Sequence, residues 1–291
     1  MGKVISYSQF SQWAHCPHRW KLNYVDEHRE FTGNIHTLFG TSMHEVLQKY
    51  LTVMYTETAK KADSLNLESM LENRMKVNFL KIKEDSGEEC CNRQDMAEFY
   101  SDGISFLKWF ISRRGQYFQK KGYELLGTEI AINYNLPGNL KFRGFIDLIL
   151  FDSAESRLKI YDIKTSTMGW NKYVKKDRNK TDQLLLYKQF YSKQFDFPIN
   201  RIDVEFFIVK RKLYENVSFP QKRVQQFSPA SGTPSLNKSA KRLSEFIKEC
   251  FTDDGQYNME HTYRKEASKK NCRFCEFREM PELCDASYYR R

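Results

Sequence analysis

No stretch of the sequence approaches the roughly 20 consecutive apolar residues that a membrane-crossing helix needs. The opening, Met1 to Phe10, also lacks the apolar run of a secretory signal. Both absences lead to the expectation of an intracellular protein with no membrane partner, placed in the cytoplasm. The Gly-x-x-x-x-Gly-Lys-Ser/Thr phosphate loop is missing as well, so no nucleotide-driven motor is expected in this chain. There is no internal repeat. Acidic residues are in deficit, 37 against 47 Lys and Arg, which leaves a net charge of +10. That balance suits an anionic partner such as nucleic acid, although excess lysine also keeps ordinary proteins soluble. Seven cysteines in a reducing compartment do not suggest a disulfide framework, so clustered ones point to metal and isolated ones to packing.

With 291 residues, 40% of them hydrophobic, the chain can bury one sizeable core with helical additions. The reading is a single domain: an N-terminal segment over 1–40, a helical lobe over 41–122, a core over 123–215, and a C-terminal helix with a cysteine-bearing tail over 216–291. Ser8 to Tyr24 reads as helical with a break at Cys16-Pro17. Ser42 and Glu45 have capping-box spacing, so a helix is expected to begin at Ser42 and to bury Met43, Val46, Leu47, Tyr50, Leu51 and Met54. Further helices are expected over Leu65 to Lys83, Arg93 to Lys121, Asp182 to Lys193 and Leu236 to Phe251. Strands are expected over Glu124 to Tyr134, Lys141 to Phe151, Leu158 to Lys164 and Ile202 to Val209. This order implies an α/β fold with a mixed central sheet flanked by helices.

The strand with Phe142, Ile146, Leu148 and Leu150 also carries Phe145, Ile149 and Phe151 on the opposite parity, so both faces are apolar and a buried central strand is expected. Two carboxylates stand out within that sheet. If Ser153 to Ser156 form the loop of a hairpin, Asp152 pairs with Arg157 and the register sets Asp147 opposite Asp162. Facing side chains in a hairpin have Cβ atoms roughly 4.5–5.5 Å apart, where two anions repel and raise each other's pKa. A cation reverses that penalty. Lys164, two residues beyond Asp162, shares its face and adds a positive charge. Hard divalent ions such as Mg2+ or Mn2+ prefer such oxygen donors, and can activate water and stabilise phosphate charge. An ordinary structural Asp-Lys pair at a hairpin end would show the same three residues.

The motifs form an ordered series: Gly40-x-x-x-His44, Glu129 in a strand, Gly144-Phe145-Ile146-Asp147, Asp162-Ile163-Lys164-Thr165, then Gln183-x-x-x-Tyr187. In this series the chain resembles the RecB-like branch of the PD-(D/E)XK nucleases, which includes CRISPR adaptation and phage exonucleases, and the likeness covers most of the chain. The resemblance implies a restriction-endonuclease-like core and hydrolysis of DNA. It implies that His44, Asp147, Asp162 and the carbonyl of Ile163 bind Mg2+ or Mn2+ while Lys164 assists the attacking water. Glu129, Gln183 and Tyr187 would sit beside them. Exonuclease action from a 5' end, on single strands, is the commonest behaviour it implies, with a separate helicase, recombination or CRISPR adaptation partner. A catalytically silent DNA-binding subunit is the alternative.

Lys172, Lys175, Lys176, Arg178 and Lys180 follow the catalytic strand and suit a loop that tracks a DNA backbone, or equally a solvated surface loop. Cys272-x-x-Cys275 and Cys284 have the spacing of zinc or iron-sulfur ligands. The resemblance supplies the fourth ligand from Cys16 and favours a 4Fe-4S cluster that joins the chain ends, with Zn2+ as the alternative. Cys90, Cys91 and Cys250 have no metal spacing, and Cys250 on an amphipathic helix reads as a core residue.

Overall fold

The computed structural model describes residues 2–28, 33–118 and 121–285. In chain order the elements are β1 (Val4–Ser6), α1 (Tyr7–His15), α2 (Pro17–Tyr24), α3 (Ile35–Thr56), α4 (Ala59–Asp63), α5 (Leu67–Ser86), α6 (Arg93–Ile111), β2 (Tyr123–Leu136), β3 (Leu140–Asp152), β4 (Arg157–Ser166), α7 (Lys172–Lys176), α8 (Arg178–Gln194), β5 (Ile202–Lys210), β6 (Val224–Phe227), α9 (Thr233–Cys250) and α10 (Lys269–Cys272). The result is the expected α/β arrangement, a mixed six-stranded sheet with helices on both faces. Among the described residues no helix is long and apolar enough to cross a membrane.

The sheet runs β1-β3-β4-β5-β6, with β2 added to β3. Strand β2 pairs antiparallel along the whole of β3, from Leu140 to Asp152, and so fills one of its two edges. The other edge is shared. Strand β1 runs parallel to it at Lys141 to Arg143, and β4 runs antiparallel to it at Leu148 to Asp152. Residues 144–147 therefore have no ladder partner on that edge.

Two cores clothe the sheet. One is formed by α3, α5 and α6 with Leu148, Tyr161, Ile163 and Phe207. The other is formed by α1, α8 and α9 with Phe142, Ile146, Ile160 and Phe206. Ile146 belongs to the second core and Leu148 to the first, so the regular alternation of side chains breaks at Asp147. Cys250 is fully buried, in keeping with a core role.

Three sequence expectations need correction. Helix α3 begins at Ile35, not Ser42, because the Asn34 side chain caps it by accepting from the Thr37 N–H at 3.0 Å. Ser42 is then mid-helix. Its hydroxyl donates back to the Leu38 carbonyl at 2.8 Å, and Asn78 donates to Ser42 Oγ and Glu45 Oε2 at 3.0 and 3.3 Å, so the apparent capping box is an internal polar cluster. Helix α6 stops at Ile111 rather than reaching Lys121. The Arg114 guanidinium takes the Ile111 carbonyl at 2.8 Å and pairs with Asp63 at 2.8 Å, ending the backbone ladder; residues 119–120 lie outside the described residues. Finally, Phe145 is 49% exposed, so β3 is not apolar-buried on both faces along its full length.

Candidate active site

The hairpin closes as its loop residues suggest, with Asp152 opposite Arg157, and the same register carries Leu148 opposite Tyr161. One step further the strands part. Instead of a backbone partner on β3, the Ile163 N–H donates to Asp147 Oδ2 at 2.7 Å. Asp147 thus spans the gap and fastens β4 to β3 through its side chain, and this charge-assisted bond fixes the carboxylate's direction.

Asp162 is 2% exposed. Lys164 Nζ donates to its Oδ1 at 3.0 Å and lies 2.8 Å from Oδ2, but Oδ2 receives no hydrogen bond of adequate geometry. A buried carboxylate oxygen left in that state is costly unless something positive meets it. Burial pushes the Asp162 carboxyl up to about 6, with Asp147 adding to the shift and Lys164 opposing it. Asp147 is likewise pushed up to about 6 by burial, against the pull of Lys164 and of the Ile163 N–H. Burial also works against the charge of Lys164, but Asp162 and Asp147 outweigh it and hold its pKa above the usual lysine value. Lys164 is therefore a charged donor and not a base.

From the first core, α3 brings His44, whose Nδ1 is 3.5 Å from Asp147 Oδ2. Burial lowers the His44 pKa, and Lys164 lowers it further, so its ring is neutral and open to ligation. One turn on, Gln48 donates to Glu129 Oε1 at 2.5 Å and to the Asp147 carbonyl at 3.1 Å. Sequence reasoning missed Gln48, although its i,i+4 relation to His44 marks it as sharing that helix face. Glu129 adopts a left-handed backbone, φ +51°, just after a register shift between Leu125 and Gly127. That conformation costs a side-chain-bearing residue about 1–2 kcal/mol, and here it accompanies the carboxylate's bond to Gln48.

From the second core, α8 brings Gln183 and Tyr187, with the Gln183 amide 3.5 Å from the Tyr187 hydroxyl. The glycine of the Gly144-Phe145-Ile146-Asp147 motif is explained by this approach. A Cβ at Gly144 would lie 2.7 Å from the Tyr187 ring and 2.9 Å from its hydroxyl. Gly40 plays a similar part for α3, where a Cβ would meet Thr165 Oγ1 at 3.2 Å. Two small residues thus let both flanking helices close on β3 and β4.

Of the basic residues after β4, Lys180 is within electrostatic reach of Asp162 and Lys164. Its pKa is lowered by burial and by Lys164, while Asp177 and Asp162 oppose the shift. Lys172 and Lys175 instead flank aromatic rings, and Arg178 lines a cavity on another side of α8. Cys16, Cys272, Cys275 and Cys284 all line one small cavity where α2 meets the tail. The tail is also held there by polar contacts. The Glu266 N–H points to Cys16 Sγ at 3.4 Å, His18 Nε2 is 3.0 Å from the Leu283 carbonyl, and Arg19 pairs with Glu276 at 2.5 Å.

Among the described residues, no group of three or more His, Cys, Asp or Glu side chains is drawn together closely enough to hold a metal ion. The donor chemistry still fits a hard cation at the carboxylates, since Asp162 Oδ2 is buried without a hydrogen bond and Asp147 lies beside it. At the tail, the four cysteines that line one cavity are donors of the type a soft metal centre takes.

A family model described as the PD-(D/E)XK nuclease superfamily matches residues 4–280. No curated protein matches the chain. Among solved structures, one named "Putative exonuclease" from Eubacterium rectale aligns over 95% of this chain and 87% of its own, at 12% identity and TM-score 0.54, a likeness of fold alone. The crystal structure of SSO0001 aligns over 94% of both chains at 11% identity, but its TM-score of 0.31 is too low to bear on the fold.

The raised pKa of Asp162 has a consequence for stability. Its unfolded value is roughly 3.9, so between there and about 6 the folded chain binds the extra proton, and this group favours folding more as pH falls through that window. Above it, the buried charge counts against folding. In EDTA-treated protein, Asp162→Asn should therefore raise the thermal midpoint by a few degrees at about pH 8, an advantage that shrinks towards about pH 4.5. Calorimetry at both pH values checks this, and a pH-independent difference would contradict it.

Proposed function

Because the chain belongs to the PD-(D/E)XK nuclease superfamily, we propose that it is a divalent-cation-dependent deoxyribonuclease of the RecB-like branch, acting on strand ends from the 5' side and preferring single strands. The observation that carries this reading is the pair of carboxylates, fully buried Asp162 and the largely covered Asp147, where β3 and β4 part, with Lys164 bound to Asp162. Nucleases of this superfamily generally use Mg2+ or Mn2+. Asp147, Asp162, neutral His44 and the Ile163 carbonyl would hold the ion. Bound there, it would supply positive charge against the phosphate and ease deprotonation of water.

The chain's own groups complete the chemistry. Lys164, kept charged by its two aspartates, orients a water or a phosphate oxygen and stabilises negative charge as the phosphorus is attacked. Burial keeps Tyr187 a phenol, so with Gln183 it can donate to a substrate oxygen. Gln48 holds Glu129 and the Asp147 backbone in place, a positioning role.

DNA labelled at either end, incubated with Mg2+ or Mn2+ and anaerobically purified protein, tests the proposal. Stepwise products shortening from the 5' end are expected, and Asp162→Ala should lower the rate by on the order of 100-fold or more. Cleavage retained in the variant would contradict the site. Salt-sensitive binding without cleavage by the wild-type protein would favour a silent DNA-binding subunit.

For the tail, we propose that Cys16, Cys272, Cys275 and Cys284 hold a 4Fe-4S cluster, which would cross-link the two ends of the chain; Zn2+ is the alternative occupant. The shared cavity and the contacts from α2 to the tail support it. Anaerobically purified protein should contain iron and sulfide and show visible absorbance. Cys272→Ser should lose both and melt earlier. Zinc in their place would reassign the centre, and unchanged metal content in the variant would contradict it.

A further inference from the structure

We propose that Tyr173 is a base-stacking residue which, with the lysines around it, gives this site its grip on single-stranded nucleic acid. The inference rests on the nuclease reading and names the part of the surface that selects the substrate. Tyr173 is 72% exposed, so most of its ring surface is open to a partner. It stands on α7, the short helix that follows the catalytic strand β4.

The segment leading to it is firmly held. Ser166 Oγ accepts from the Gly169 N–H and lies 3.1 Å from the Gly169 carbonyl. The Trp170 N–H donates to Gln225 Oε1 at 2.7 Å, while Gln225 Nε2 donates to the Trp170 carbonyl at 3.1 Å. The Trp170 ring packs 4.8 Å from that of Phe206 in the core. Asn171 then caps α7, accepting from the Tyr173 and Val174 N–H groups at 2.9 and 3.1 Å. An exposed ring on so well anchored a segment is pre-organised, and loses little freedom when something stacks on it.

Its surroundings indicate what that partner is. Lys172 Nζ is 5.2 Å from the Tyr173 ring centroid, so a base on the ring and a phosphate at the ammonium could belong to neighbouring parts of one strand. Lys176 is on the same short helix. Lys175 and Arg178, with Lys238 from α9, line an adjoining cavity of about 200 Å3, in which the Asp182 carboxylate is already tied to Arg242. Aromatic rings interleaved with cations bind unpaired bases and their backbone together, whereas a duplex keeps its bases stacked inside. The surface therefore fits a single strand and not a double one.

The test is binding to a labelled oligothymidylate and to a blunt duplex by fluorescence anisotropy, in an Asp162→Asn background so that cleavage does not intervene. Tyr173→Ala should weaken single-strand binding roughly 10-fold, leave duplex binding unchanged and leave the salt dependence as it was. Tyr173→Phe should restore the affinity. Lys172→Ala should instead flatten the salt dependence, by a slope of about 0.7 for one phosphate contact. Single-strand affinity unchanged by Tyr173→Ala, or an equal loss on duplex, would overturn the proposal. If the wild-type protein binds in this pattern but does not cleave, the nuclease reading fails and the stacking surface stands.

Discussion

Strand β3 has two edges and three partners. Because β2 takes one edge completely, β1 and β4 must share the other, and the stretch between their pairings has no backbone to bond to. The Ile163 N–H, freed from the hairpin at that point, is satisfied by the Asp147 carboxylate. This bond closes the gap mechanically and leaves two carboxylates and a lysine at a place where a regular ladder would have buried only backbone. Most of the site follows from it. His44 and Gln48 reach the gap from one core, Gln183 and Tyr187 from the other, and the small residues Gly40 and Gly144 allow the close approach.

The electrostatics follow from the same geometry. Two acids with so little access to water are pushed towards neutrality, and one adjacent lysine does not fully offset the cost. A site that disfavours its own charge in isolation is predisposed to take up a cation. While both acids are charged, folding stability is held below what an uncharged pair would give.

The hairpin register was legible in the sequence because the Ser153–Ser156 loop and the Asp152–Arg157 closure leave one way to pair the strands, and the spacing of Asp162 and Lys164 then put both on one face. The divergence at Asp147 was not legible, since it depends on β1, a strand of three residues with no period to read and a partner far along the chain. Nor was the left-handed turn at Glu129, which arises from a shift in the β2–β3 register. Ser42 and Glu45 misled for a physical reason: the same side chains that cap a helix from outside can bond within one when a neighbour such as Asn78 supplies the donor. The four cysteines line one cavity because α2 and the tail pack against each other, a contact that spacing alone does not contain.

The most direct check on the gap between β3 and β4 as a cation site is Mn2+ binding followed by electron paramagnetic resonance, comparing the wild-type protein with Asp147→Asn. Asparagine keeps an oxygen for the Ile163 N–H but removes the charge, so the strands should stay joined while affinity for Mn2+ falls by at least about tenfold. Unchanged Mn2+ affinity in a folded variant would show that the paired carboxylates are not where the metal binds.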